Sequence, residues 1–446
     1  MTWNRIGGQN IQNSDSLYSL AFFRIIFGVI MAFSEIRFIN KGWITDFYVK
    51  PDYFFSFYGF QWISPPAEPY VYWVFYVLVI LAVFIAFGVF YRFSIICFFL
   101  LFTWVELWDK SVYLNHYYQV SLLAFLMCWL PMNTVCSVDN LLRRKKSQVI
   151  FYFRNPENLL KIQVGMVYLF GGIAKLKYDW LFLAQPLKIW LAANENFPLV
   201  GPLLAQPWVA FVISWLAMIF DISAPFLLLN RPTRLWIYLI IVIFHLLTHF
   251  LFHIGMFPWI MMGTALIFFP SSWHRKVLHY LAVKSPRIPP ISMEFRSLKA
   301  GFTRPVIAVF FFFQMLMPFR YLLYPGNVLW HEQGFRFAWN IMLMEKNGSV
   351  VFHVRVKDSG KEFSIQPANF LTPIQARQMS FQPDMILQFA HYLHSYYLKN
   401  DLGDTEIRAE CYASVNGKGS ALLIDPTVDL SREKDSFKNK TWITDY

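Results

Sequence analysis

The sequence predicts an α-helical polytopic membrane domain of about nine transmembrane helices followed by a small extracytoplasmic α+β domain. Three observations carry this. Of the 446 residues, 57% are hydrophobic and only 15% charged, with 48 Phe and 17 Trp, more apolar surface than a water-soluble core can hide. The apolar residues gather in runs of roughly spanning length as far as residue 320, and from Pro325 onward the chain turns polar and alternates like strands. The basic residues lie between the apolar runs, with a marked preference for alternate loops.

The apolar runs fall at 17–37, 69–91, 94–108, 116–133, 158–177, 206–229, 234–253, 255–270 and 303–320. The third and eighth are short, and the Gly255–Pro258 junction allows the seventh and eighth to form one broken element. The first run carries Arg24 and Glu35 and lacks a short apolar core with a small-residue cleavage site, so it reads as a retained helix. With the N-terminus cytoplasmic, loops 91–93, 133–161, 230–235 and 271–304 hold 16 Lys and Arg, including Arg143, Arg144, Lys145 and Lys146. The opposite loops hold five: Lys41, Lys50, Lys110, Lys177 and Lys188. This bias predicts an integral membrane protein with its C-terminal part outside the cytoplasm and on the same side as Lys175, and the chain's size and simplicity suit a bacterial inner membrane. The aromatic loops 40–68 and 178–205 read as interfacial segments on that side.

Residues 1–320 form the expected transmembrane catalytic domain, 321–430 the α+β domain and 431–446 a polar tail without clear structure. In the α+β domain, strands are predicted at 336–345, 349–356 and 361–366, with turns at Asn347–Gly348 and Asp358–Gly360. A long amphipathic helix over 372–399 starts with Thr372 as cap and Pro373 in its first turn. Strands near 405–414 and 420–424 flank Asn416–Gly417. Four scattered cysteines imply no disulfide framework. The net charge of +12 is explained by helix flanks, so no nucleic-acid partner is expected. Phosphate-cradling loops, dinucleotide fingerprints and serine nucleophile elbows are missing from the sequence, which argues against nucleotide hydrolysis.

The chemistry concentrates in Val164–Trp180, VGMVYLFGGIAKLKYDW, where Lys175 stands near the end of a membrane-length helix. An ammonium there must pair, snorkel or lose its proton, so Lys175 is a candidate general base. A snorkelling anchor is the competing role. Helical spacing puts Tyr168, Gly172, Lys175 and Asp179 on one face, and Gly171–Gly172 lets a flat ligand or a neighbouring helix approach the backbone. In FHLLTHFLFHIGMF, His245, His249 and His253 recur every four residues. Such spacing suits metal ligands, but a membrane metal centre needs more histidines than the chain provides nearby, so no metal is expected. Asp221 lies mid-span and needs a lysine or histidine partner, in a structural or a catalytic role.

These stretches resemble the vitamin K-dependent gamma-glutamyl carboxylase family and its bacterial homologues, with their HTTM-type membrane domain. The resemblance rests on WVELWDKSVYLNHYYQVSLLAFL (104–126), SVDNLL (137–142), VYLFGGIAKLKYDW (167–180), FDISAPFLLL (220–229), FHLLTHFLFHIGMF (244–257) and LTPIQARQMSFQPDMILQFA (371–390). It implies that a reduced vitamin K hydroquinone, of menaquinol type, is deprotonated and reacts with O2. The strongly basic oxygenated product removes a γ-proton from a peptide glutamate, which takes up CO2, leaving γ-carboxyglutamate and vitamin K epoxide. The family's initiating lysine corresponds to Lys175.

Beside Lys175, His245 and His249 are expected in catalysis as polar groups orienting the quinone or O2, and Tyr168, Gly171, Gly172, Met256 and Phe257 are expected to enclose the quinone. Arg336, Trp339 and Lys346, in GFRFAWNIMLMEK (334–346), would bind the acidic peptide or protein substrate. The expected partners are therefore membrane lipid, a quinone and that substrate. Two departures stand out. Where the animal enzymes have Asn-His before the SVD motif, this chain has Asn133–Thr134, and a histidine and an arginine of the substrate segment appear as Met344 and Lys346. The alternatives are an epoxidase without carboxylation, or a non-catalytic quinone-binding, lipid-binding or transport protein.

Overall fold

Each of the nine apolar runs contains a helix in the computed structural model, which describes residues 4–142, 149–150, 155–252, 254–281, 293–294 and 300–446. The helices are α1 (Asn4–Asn40), α2 (Tyr70–Phe87), α3 (Tyr91–Glu106), α4 (Asn115–Cys128), α5 (Glu157–Ala174), α6 (Pro207–Leu229), α7 (Arg234–Phe252) and α8 (Phe257–Ala265). After the short polar helix α9 (Ser271–Tyr280) comes α10 (Ala300–Leu316). Among the described residues, five helical segments are long and apolar enough to cross a membrane: Ser16–Asn40, α2, α6, α7 and Phe302–Leu323. The helices α3, α4 and α8 are shorter, and α5 carries Glu157, Lys161 and Gln163, so five of the about nine expected spans have the length and apolarity to cross a membrane unaided. Arg143–Lys146 and His253 lie outside the described residues.

The bundle hides its polar residues by pairing them. Arg24 is fully buried and donates to the carbonyls of Ile85 (3.0 Å) and Cys136, next to the turn where Gly88 takes φ +66° and ends α2. Only a glycine fits that turn, because a Cβ would strike the Arg24 guanidinium. Between α5 and α6 a glycine again allows close contact, here of backbone against backbone. A Cβ on Gly172 would lie 2.7 Å from the backbone nitrogen of Ile222, so this glycine sets the separation of the two helices. Helix α5 ends at Ala174, and Asp179 belongs to a separate turn, Tyr178–Leu181. The expected shared face therefore stops at Lys175.

The C-terminal domain is a four-stranded antiparallel sheet in the order β2-β1-β3-β4, built from β1 (Lys346–Val356), β2 (Glu362–Ile365), β3 (Thr405–Val415) and β4 (Ala421–Leu422). Strands β1 and β3 pair along their whole length, from Lys346↔Val415 to Val356↔Thr405, and their buried alternate residues pack on α12 (Pro383–Lys399). The predicted strand 336–345 is irregular instead, with Phe337, Trp339 and Met342 at positive φ, and β1 runs straight through Asn347–Gly348, where a turn was expected. The helix expected over 372–399 is divided. Thr372 and Gln375 form a capping box on α11 (Pro373–Met379), and Pro383, which cannot donate into a preceding turn, opens α12. The tail after Leu430 is ordered against the domain, with Trp442 buried and the Trp330 indole donating to the Thr444 carbonyl at 2.7 Å.

Polar hooks join this domain to the membrane bundle. Gln375 donates to Asp109 (2.8 Å) and to the Tyr53 carbonyl (2.7 Å), drawing the aromatic loop 40–68 into the interface. At the β3–β4 turn, Asn416 donates to Asp179 (3.2 Å) and Lys418 pairs with it (3.5 Å), so the end of α5 that bears Lys175 faces this domain.

Candidate active site

Lys175 closes α5 at its C-cap, where free carbonyls attract a cation. Its side chain is buried, and its Nζ donates to Asp221 Oδ2 at 2.8 Å and to the Gly171 carbonyl at 3.1 Å. The Trp180 ring lies 5.3 Å from the ammonium, and its indole is anchored on the Ser214 carbonyl at 2.8 Å. Asp221 is held on α6 by the close approach that Gly172 permits, which answers the sequence's question of what pairs with a mid-span acid.

The pair opens onto a cavity of about 330 Å³ lined by Tyr168, Gly171, Lys175, Asp221, His245 and Phe257 among apolar side chains. Tyr168 and His245 meet at 3.0 Å between the phenol and Nε2, and the other ring nitrogen of His245 is buried without a partner among the described residues. On one side the lining passes to Leu216, Ile240, Ile243 and Leu247, which are exposed on the outer surfaces of α6 and α7. The cavity therefore opens sideways, toward lipid, between two of the membrane-crossing helices.

Five of the eight residues expected at this site line the cavity: Lys175, Tyr168, Gly171, His245 and Phe257. Gly172 is turned to α6 and acts through packing. Met256 is buried beside the cavity without lining it. His249 is also outside; its Nδ1 lies 3.3 Å from the Ile254 carbonyl and its ring is edge-on to Trp259. Four residues turn a helix by roughly 400°, so the histidine stripe drifts about 40° per step and leaves the cavity after His245.

A second cavity, of about 290 Å³ and polar, lies between the two domains, lined by Lys110, Glu332, Arg336, Glu345, Lys346 and Arg377 among others. Arg336 and Lys346 are here as expected, but both are engaged. Arg336 and Lys110 clamp Asp384 at 2.7 and 2.8 Å, and Lys346 pairs with Glu332 at 2.8 Å. Burial alone would raise the Asp384 carboxyl; Arg336 and Lys110 overcome it and hold the group well below the ordinary carboxylate range. Trp339 is not in this cavity. It is fully buried, tilted against Tyr118 with ring centres 5.2 Å apart.

The irregular segment 335–346 touches both cavities, with Ile341 and Met342 on the membrane cavity and Phe335, Arg336, Met344, Glu345 and Lys346 on the polar one. Thr134 lines neither. It sits beyond the C-terminal end of α4, beside Asn133 and the Asp139 that caps α3, whereas Asn115 at the other end of α4 lines the polar cavity. The length of α4 separates them by about 20 Å. Among the described residues, no group of three or more His, Cys, Asp or Glu is placed to hold a metal ion.

Fold and site together define an integral membrane protein in which a lipid-facing cavity ends on a buried Lys–Asp pair beneath a soluble α+β domain. Residues 13–273 match the family model described as HTTM domain, and residues 299–446 match the one described as Vitamin K-dependent gamma-carboxylase, lumenal domain. The chain belongs to the gamma-carboxylase family. No solved structure matches it.

Proposed function

We propose that the protein deprotonates a reduced, vitamin K-type quinone at Lys175, oxidises it with O2 to the epoxide, and couples this to carboxylation of a glutamate γ-carbon. The observation that carries the reading is Lys175 itself, a buried amine at the inner end of a cavity whose mouth opens to lipid. The residues fit such a ligand. The apolar walls suit a naphthoquinone ring, Gly171 leaves room beside it, and the unpartnered nitrogen of His245 is a polar atom that a ring oxygen completes. An isoprenoid tail would leave between α6 and α7. When bound, the reduced quinone and O2 supply the strong base that removes the γ-proton.

In this reading Lys175 hands its own proton to Asp221, which leaves a neutral pair in an apolar wall, and the free amine takes the phenolic proton. The restored ammonium then faces the charge it has created. Tyr168 and His245, linked to each other, orient the ring oxygen on the far side. The protein domain over the cavity, extracytoplasmic in this reading as in the charge pattern, presents the acidic substrate. The position of Thr134 outside both linings supports keeping carboxylation in the proposal, since a histidine there would face neither cavity.

The test supplies detergent-purified protein with reduced vitamin K, bicarbonate and a glutamate-rich peptide in air, and follows epoxide and fixed CO2 together. Both products are expected. Epoxide without fixed CO2 would reduce the function to epoxidation, and neither product would favour a binding protein. Lys175→Arg separates the last case: it retains charge but cannot act as a base, so it should be inactive, whereas an anchoring lysine would tolerate it.

A further inference from the structure

The polar cavity has four cationic side chains on its wall, Lys110, Arg336, Lys346 and Arg377, and three carboxylates on or immediately behind it, Glu332, Glu345 and Asp384. Among the described residues their ion pairs leave two groups over, the Glu345 carboxylate and the Arg377 guanidinium. Asp384 is shared by Lys110 and Arg336, Glu332 is taken by Lys346, and Glu345 accepts from the Trp190 indole (2.6 Å) and Asn347 (3.0 Å). The guanidinium of Arg377, on α11, has no ion pair or hydrogen bond among the described residues, and the side chain is exposed.

We infer that Arg377 is the substrate-carboxylate residue of this cavity, the group that selects an acidic side chain on a peptide bound between the two domains. The inference deepens the proposed function and rests on it for the identity of the peptide. The physical argument is one of cost. An incoming carboxylate that used Lys346 would first have to displace Glu332 from a buried pair, and one that used Arg336 would have to compete with Asp384 in a partly buried one, either way leaving an unpaired charge. At Arg377 it displaces only water, and a planar guanidinium can hold both carboxylate oxygens. Arg336 and Lys346 then act as positioning residues: with Lys110 they fix Asp384, Glu332 and so the shape of the wall. Because α11 is tied by Gln375 to Asp109 and the Tyr53 carbonyl, Arg377 is carried on an element already fastened to the membrane bundle.

The experiment measures binding directly, with a fluorescently labelled peptide of repeated glutamates and its glutamine counterpart, titrated against full-length protein in detergent. Wild type should prefer the glutamate peptide. Arg377→Gln should weaken glutamate-peptide binding about tenfold, the size expected of one charge-assisted contact at a partly solvated site, and leave glutamine-peptide binding alone. Arg377→Lys should recover part of the loss. Equal glutamate-peptide binding by wild type and Arg377→Gln would overturn the inference, as would a wild type that makes epoxide but does not discriminate the two peptides. Weakened binding in Arg377→Gln with no epoxide from wild type would uphold the inference while overturning the catalytic reading.

Discussion

Replacing Lys175 alone tests two things at once, and the structure says how to separate them. The Lys175–Asp221 contact is buried on both sides, with side-chain exposures of 5% and 10%. Breaking such a pair from one side leaves a carboxylate without its counter-ion in an apolar wall, which costs about 3–5 kcal/mol, whereas replacing both partners with uncharged groups of similar shape is close to neutral. Lys175→Met should therefore unfold at clearly lower temperature than wild type, and Lys175→Met/Asp221→Asn should recover most of that stability. Both should fail to form epoxide. The assay is thermal unfolding of detergent-solubilised protein, followed by near-ultraviolet circular dichroism, beside the epoxide measurement. If the single and double variants were equally stable, the pair would contribute nothing and the electrostatic argument would fail. Epoxide from the double variant would remove Lys175 from the chemistry even though its pairing stood.

Three further outcomes follow from the geometry. Gly172→Ala places a methyl against the Ile222 backbone, so despite a gain in helix propensity of about 1 kcal/mol it should destabilise by about 1–2 kcal/mol net and lower activity, while Gly171→Ala, whose nearest neighbours lie at 3.9 Å, should keep its stability in the same melts. Asp384 is depressed in the folded protein, so its stabilisation is complete above its unfolded value near pH 4 and is lost progressively as pH falls from there through the lower, folded value; Asp384→Asn should then cost about 3 kcal/mol equally at pH 5 and pH 8, measured by denaturant unfolding. His245→Ala should raise the KM for reduced quinone about tenfold, against little change for His249→Ala, in steady-state epoxide assays.

Much of this organisation is legible in the amino-acid order, because burial in a bilayer forces long apolar runs and makes every intramembrane charge conspicuous. Lys175 and Asp221 stand out for that reason, and each proves to be the other's partner. The end of α5 is not legible: KLKYDW continues a helical pattern, and only the docking of Asp179 on Asn416 and Lys418 shows why the chain turns away. The stretch FRFAWNIML alternates like a strand, yet its apolar residues are divided between two cavities and the bundle, so tertiary contacts override the alternation. Nor does sequence reveal which cations are already spent. Arg336 and Lys346 look available until Asp384 and Glu332, 48 and 14 residues away, are seen to hold them; Arg377 stands in TPIQARQM with nothing local to mark it as uncommitted.

The segment 335–346 borders both cavities, so it forms part of the wall of each. A fat-soluble reductant and a water-soluble peptide have no common solvent, and an enzyme joining them would ordinarily have to drag one into the other's phase. With Ile341 and Met342 facing the lipid-side chamber and Met344–Lys346 the aqueous one, neither reactant of the proposed reaction need change phase.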